Sequence, residues 1–122
     1  MASHGGILRQ MPHHSLQLSR IFQALADPTR RAVLERLSTG PAAVSDLARP
    51  FKMALPSFSQ HLDVLESCGL VRSRKEGRVR TYQLEPKRLK LAEHWMEKQR
   101  AIWEKRLDQL DDYLDEMKEQ EP

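Results

Sequence analysis

Pro56-Ser57-Phe58-Ser59-Gln60-His61-Leu62-Asp63-Val64-Leu65-Glu66-Ser67-Cys68-Gly69 runs directly into Leu70-Val71-Arg72-Ser73-Arg74-Lys75-Glu76-Gly77-Arg78-Val79-Arg80-Thr81-Tyr82-Gln83-Leu84. In the first half Phe58, Leu62 and Leu65 recur at helical spacing, so one face is apolar and Ser57, Ser59, Gln60, His61 and Asp63 divide among the flanks and the outer face. Proline fits a first helical turn, where no N–H is needed. Gly69 suits the position just past a helix end, where a left-handed backbone is required. In the second half Leu70–Lys75 and Val79–Leu84 are rich in β-branched and long side chains, and Glu76-Gly77 supplies a hairpin turn. A short helix with a polar outer face followed by a hairpin is therefore expected.

That hairpin lies in the basic part of the chain. Between Leu70 and Lys90 stand Arg72, Arg74, Lys75, Arg78, Arg80, Lys87, Arg88 and Lys90 against Glu76 and Glu85, whereas from Glu104 onward eight carboxylates face Lys105, Arg106 and Lys118. A formal net charge of +3 says little about partners, but this segregation says more. An acidic run is ordinarily a solvated face. Cations on a hairpin beside a polar helix are positioned to neutralise phosphates or enter a minor groove.

Upstream, Leu18, Ile21, Phe22 and Leu25 mark a first amphipathic helix that Asp27-Pro28 ends. Asp27 can cap the next helix through its side-chain oxygen, with Val33, Leu34 and Leu37 as the buried stripe and Gly40-Pro41 as the stop. A third helix of two or three turns is expected around Val44, Leu47, Ala48 and Phe51, limited by Pro50. Three helices, a helix with a polar face and a basic hairpin make a mainly α fold, a winged helix-turn-helix with a two-stranded wing. In such a layout hydroxyl and amide side chains reach base edges in the major groove while Arg and Lys on the wing meet the backbone. The residues expected at double-stranded DNA are Ser57, Ser59, Gln60, His61, Arg74, Lys75, Arg78 and Arg80. His61 can touch DNA, or can equally pack near the turn and satisfy a backbone carbonyl.

Ala26-Asp27-Pro28-Thr29-Arg30-Arg31 with Leu34 and Leu37, then Ser59-Gln60-His61-Leu62 with Leu65, Glu66, Gly69, Leu70 and Val71, resembles the ArsR-type family of bacterial repressors from about Leu18 to Leu84. The resemblance implies a homodimer that binds a near-palindromic operator, represses by steric exclusion, and lets go on some signal. Lys52-Met53-Ala54-Leu55-Pro56 and Trp103-Glu104-Lys105-Arg106-Leu107 with Leu110 and Tyr113 resemble members without a known metal. Metal-sensing relatives carry paired cysteines on the third helix, where this chain has Ala42-Ala43-Val44-Ser45-Asp46-Leu47, and others place ligands on the final helix, where His94 has no second His after it. Four ligands are hard to assemble from such a set, so no metal and no cofactor are expected. A metal-responsive repressor, or a winged-helix module that docks proteins instead of DNA, is the competing reading.

The end of the chain argues for pairing. Leu89, Met96, Trp103, Leu110 and Met117 repeat every seven residues, flanked by Trp95, Ile102, Leu107 and Leu114. A helix from Pro86 to Lys118 would span roughly 50 Å at 1.5 Å per residue, more than a domain of this size can cover. Leu18, Phe22, Trp95, Ile102, Trp103 and Leu110 are the expected dimer contacts. Phe22, Trp95 and Ile102 would also suit a cavity for an unidentified small apolar effector, though such side chains are more often core.

The rest of the sequence sets boundaries. With 122 residues one domain is expected, divided into a flexible tail (1–15), a winged-helix core (16–85) and a terminal dimerisation helix (86–122). No apolar run approaches a membrane span and Met1–Ser15 lacks a signal-peptide core, which together with the single Cys68 points to the cytoplasm. At a helix C-terminus the dipole disfavours a thiolate, so Cys68 reads as a small buried residue. No nucleophile elbow, Gly-rich loop or HExxH pattern frames the Ser, His and Asp residues, and the chain is not expected to be an enzyme.

Overall fold

The computed structural model describes residues 13–120. Helix α1 (His13–Leu25) buries Ile21 and Ala24, with Leu18, Phe22 and Leu25 half-buried against the same core. It begins inside the stretch expected to be a tail, whose remaining residues, 1–12, lie outside the described ones. Helix α2 (Pro28–Leu37) starts as the sequence predicts: Asp27 is extended and its Oδ2 accepts from the Arg30 N–H at 2.9 Å, satisfying a donor that has no intrahelical partner. Val33 and Leu37 are its buried residues.

The third helix is shorter than expected. Ala42 and Ala43 are not helical but form strand β1 (Ala42–Ala43), leaving only Val44–Ala48 to α3. Extended pairing trims the front of the helix and Pro50, which has no N–H to continue the ladder, limits its end. Phe51 lies beyond the helix yet still packs, its ring 5.4 Å from that of Phe58.

Helix α4 (Leu55–Ser67) carries Phe58, Leu62 and Leu65 on its buried face. It ends in a Schellman turn: the Leu70 N–H donates to Leu65 O and the Gly69 N–H to Glu66 O, each at 3.0 Å, with Gly69 at φ +80°. Strands β2 (Val71–Glu76) and β3 (Val79–Leu84) follow, joined through Gly77-Arg78. Positive φ at Gly77 (+62°) and not at Arg78 is the pattern of a type II′ turn, whose twist matches that of the strands. The wing is part of a three-stranded antiparallel sheet of order β1-β3-β2, in which Ala42 pairs with Tyr82 and Ala43 with Thr81. Two alanines carry no strand signature, so the third strand was invisible in the sequence.

Helix α5 (Pro86–Glu119) is continuous. The compact unit built around Phe58, Ile21, Leu47, Leu62, Leu65, Val33 and Val71 runs on into this helix as far as Ala92, later than the boundary expected at residue 85, and the stretch from Glu93 forms a second unit. Among the described residues no side chain after Ala92 is buried. In that second unit Trp95, Met96, Ile102, Trp103, Leu110 and Met117 are all exposed, Trp103 at 61%.

Candidate nucleic-acid interface

The polar face of α4 is held by contacts behind it. Arg30 of α2 donates from Nε to Ala24 O at 2.8 Å and from Nη2 to Gln23 O at 3.0 Å, closing the open carbonyl end of α1. Arg31 does the same at Leu25 O, at 2.7 Å. The remaining nitrogen of Arg30, Nη1, lies 3.1 Å from His61 Nδ1, which is also 3.7 Å from Asp27 Oδ2. One guanidinium thus ties α1, α2 and α4 together. When the neutral ring accepts from Arg30 at Nδ1, its proton sits on Nε2. The Arg30 backbone N–H is the main cause that holds the Asp27 carboxyl below its ordinary 3.8, against a smaller opposing effect of burial.

Of the side chains expected at DNA, Ser57 and Gln60 are exposed on α4, while Ser59 and His61 are partly buried. The partner of His61 is the Arg30 guanidinium and not a backbone carbonyl.

The wing sorts its cations by strand periodicity. Ser73 faces Tyr82 and Lys75 faces Arg80, which places these on the side turned to the core, where Val71 and Tyr82 are buried. Arg72 faces Gln83 and Arg74 faces Thr81, on the opposite side. There Arg74 Nε pairs with Glu76 Oε1 at 3.3 Å and Arg72 Nη1 reaches Glu85 Oε2 at 3.7 Å. Among the described residues no carboxylate lies within ion-pair distance of Lys75, Arg78 or Arg80. The structure therefore brings Lys75, Arg80 and the exposed turn residue Arg78 together as available cations and leaves Arg74 apart.

Four residues at this surface were missed in the sequence, Glu66, Ser73, Leu55 and Val79. Glu66 Oε2 accepts from both the N–H and the hydroxyl of Ser73, and that hydroxyl accepts from Arg80. The available signal was a carboxylate in the last turn of a helix, where the dipole disfavours negative charge and a partner elsewhere is implied. Leu55 and Val79, 56% and 51% exposed, are apolar groups on the same elements and border a common surface depression with Arg78 and Arg80.

Cys68 is half-buried, its Sγ 3.4 Å from Leu65 O, and burial pushes the thiol above its ordinary range. No three His, Cys, Asp or Glu among the described residues are grouped to hold a metal ion. No helix described is long and apolar enough to cross a membrane. An apolar cleft of about 450 Å³ is lined by Leu25, Leu34, Leu70, Leu84, Pro86 and Leu89, with Arg31, Glu35, Ser38 and Glu85 around them. Phe22, Trp95 and Ile102 do not line it.

A helix with a polar outer face, braced on two others and continued into a basic antiparallel hairpin, defines the winged helix-turn-helix class of DNA-binding proteins. Residues 25–74 match the family described as helix-turn-helix domain. The chain is 54% identical over 67 residues to the HTH-type transcriptional regulator Rv2034 of Mycobacterium tuberculosis, a match covering 55% of this chain and 63% of that protein. It is 32% identical over 79 residues to the transcriptional repressor SdpR of Bacillus subtilis, covering 65% of this chain and 88% of SdpR. The crystal structure of an ArsR family transcriptional regulator is 55% identical, with a TM-score of 0.72 over 77% of this chain and 97% of that one. The chain belongs to the ArsR family of transcriptional regulators, as its motifs led us to expect. It is a DNA-binding regulator and not an enzyme.

Proposed function

We propose that the chain is a cytoplasmic repressor that binds a near-palindromic operator as a homodimer, reads bases with Ser57, Ser59 and Gln60, and contacts phosphates through Lys75, Arg78 and Arg80. The observation that carries this reading is the set of wing cations that, among the described residues, have no carboxylate partner, with Arg78 and Arg80 bordering one surface depression with Leu55 of α4. His61 contributes by fixing α4 on Arg30, and Arg74 contributes little while Glu76 holds it. The exposed stripe of α5, Trp95, Ile102, Trp103 and Leu110, supplies the dimer contact, and Leu18 and Phe22 of α1 are assigned to the contact with the second copy as well. Two-fold symmetry then sets the α4 helices about 34–36 Å apart, one DNA turn.

The signal is a small molecule and not a soft metal, since the sequence holds a single cysteine and no three His, Cys, Asp or Glu among the described residues are grouped to hold an ion. The cleft lined by Leu34, Leu70, Leu84 and Leu89 is the place we assign to an apolar effector, because its volume and walls suit one and Leu70 also closes the Schellman turn of α4.

Selection of duplexes from a random library by the purified chain, followed by fluorescence anisotropy, tests the reading. Two related half-sites, affinity that falls steeply with salt, and altered sequence preference on Gln60→Ala are expected. No duplex binding even at low salt would overturn it. Operator affinity that changes on chelation or on adding zinc would return the metal sensor.

A further inference from the structure

Glu66 and Ser73 form a link that neither DNA reading nor core packing requires. From the last turn of α4 the Glu66 carboxylate reaches β2, where Oε2 accepts from Ser73 N at 2.9 Å and from Ser73 Oγ at 2.6 Å. The same hydroxyl accepts from Arg80 Nη1 on β3 at 2.8 Å. A serine hydroxyl has one proton. Once that proton is given to Glu66, only lone pairs remain for Arg80, so the order carboxylate, hydroxyl, guanidinium is fixed in direction.

The geometry points to Glu66 and Ser73 as positioning residues that hold Arg80 on the α4 side of the wing, so that reading helix and wing cation meet DNA as one body. Arginine has five N–H donors in a rigid fork, and a bond from Nη1 to Ser73 leaves the others for a phosphate. An arginine on an untethered wing loses rotamer freedom when it binds, while one already held loses less. Lys75, its cross-strand partner, has no such tether among the described residues. Ser73 is partly buried beside Tyr82, so its hydroxyl does not simply face solvent. This inference rests on the DNA-binding reading above.

The test uses the full chain, a fluorescein-labelled duplex selected by the wild type, and four variants: Ser73→Ala, Ser73→Thr, Arg80→Ala and the Ser73→Ala/Arg80→Ala double. Ser73→Ala is expected to weaken binding about three- to ten-fold, the size of an ordinary net hydrogen-bond contribution, because only the pre-positioning of Arg80 is lost and not its phosphate contact. Its salt slope should stay at the wild-type value, because no charge is removed, whereas Arg80→Ala lowers the slope by about one. The double variant should bind no more weakly than Arg80→Ala alone. Ser73→Thr, which keeps the hydroxyl and suits a strand, should restore binding. Circular dichroism checks the fold, and if Ser73→Ala is unfolded, Glu66→Ala, which removes the acceptor, takes its place with the same expected dependence on Arg80. Equal losses from Ser73→Ala with and without Arg80, or wild-type affinity in Ser73→Ala, would overturn the tether while leaving DNA binding intact. A wild type that binds no duplex would overturn the reading beneath it.

Discussion

Lys75 and Arg80 stand opposite each other across the wing hairpin, on the side where Ser73 meets Glu66 of α4. Arg74, one residue from Lys75, lies on the other side and is held by Glu76 at 3.3 Å. A uniform basic patch would make all three equivalent in DNA binding, and this arrangement does not. Lys75→Ala and Arg80→Ala are each expected to weaken binding across sequences and to lower the salt slope by about one, in keeping with a lost phosphate contact. Arg74→Ala should leave the slope near that of the wild type. Anisotropy titrations at several salt concentrations decide the matter, and equal slopes for the three variants would sink this division.

How much of this was legible beforehand depends on the reach of each interaction. The Asp27 cap, the Gly69 turn, the Phe58-Leu62-Leu65 stripe and the hairpin each depend on a few neighbouring residues, and the order of the chain displays them. The link from Arg30 to His61 spans 31 positions, and β1 pairs with a strand far along the chain through two alanines. Neither leaves a periodic trace. The same limit governed the wing: composition marked it as basic, but only the register separates Arg74 from Lys75 and Arg80.

Asp27 couples local capping to acid stability. Replacing it with Ala removes the acceptor for the Arg30 N–H and should cost about 0.5–2 kcal/mol. Because its carboxyl is held below the ordinary 3.8 in the folded chain, the unfolded chain takes up the proton first as pH falls. The stabilisation is therefore complete above the unfolded-state value and is lost as pH drops through the lower, folded one. Urea melts from pH 7 to pH 3 should show this loss in the wild type, and Asp27→Asn should flatten it while keeping a capping oxygen. An unchanged pH profile in Asp27→Asn would show that other carboxylates govern acid unfolding.

Tyr82 carries the opposite sign. Burial is the main cause that pushes its phenol above the ordinary value of 10, with the Glu66 carboxylate adding to the effect. Its contribution is full below that value and is lost as pH rises through the higher, folded one. Tyr82→Phe should therefore resist alkaline unfolding better than the wild type relative to their stabilities at pH 7. The comparison is of urea midpoints from pH 7 to pH 11, and parallel curves would refute it.

Gly69 meets two separate demands at the junction of α4 and β2. Its φ of +80° disfavours any L side chain, and a Cβ there would sit 2.6 Å from Arg88 Cγ. Gly69→Ala is expected to destabilise the chain by more than about 1 kcal/mol, beyond the usual range for glycine replacement at a compatible site. Shortening Arg88 as well removes the clash but not the backbone strain. The Gly69→Ala/Arg88→Ala pair should thus recover part of the loss relative to Arg88→Ala alone. Full recovery in thermal melts would mean that the backbone conformation is not limiting.

Trp103 bears on assembly. It is 61% exposed in the second unit, whereas the buried core is complete by Ala92. If α5 pairs with a second copy through its heptad stripe, burying such an indole supplies much of the association energy, as large aromatics do at interface centres. Trp103→Glu would then place a charge in that contact. The wild type should sediment as a dimer and melt at temperatures that rise with protein concentration, since mass action links assembly to stability. Trp103→Glu should sediment as a monomer with a concentration-independent melt and retain the circular dichroism of α-helix and strand. Its DNA affinity should fall steeply, because one recognition helix engages only half of a two-fold site. A wild-type monomer, or a Trp103→Glu dimer of undiminished strength, would remove this face from the assembly.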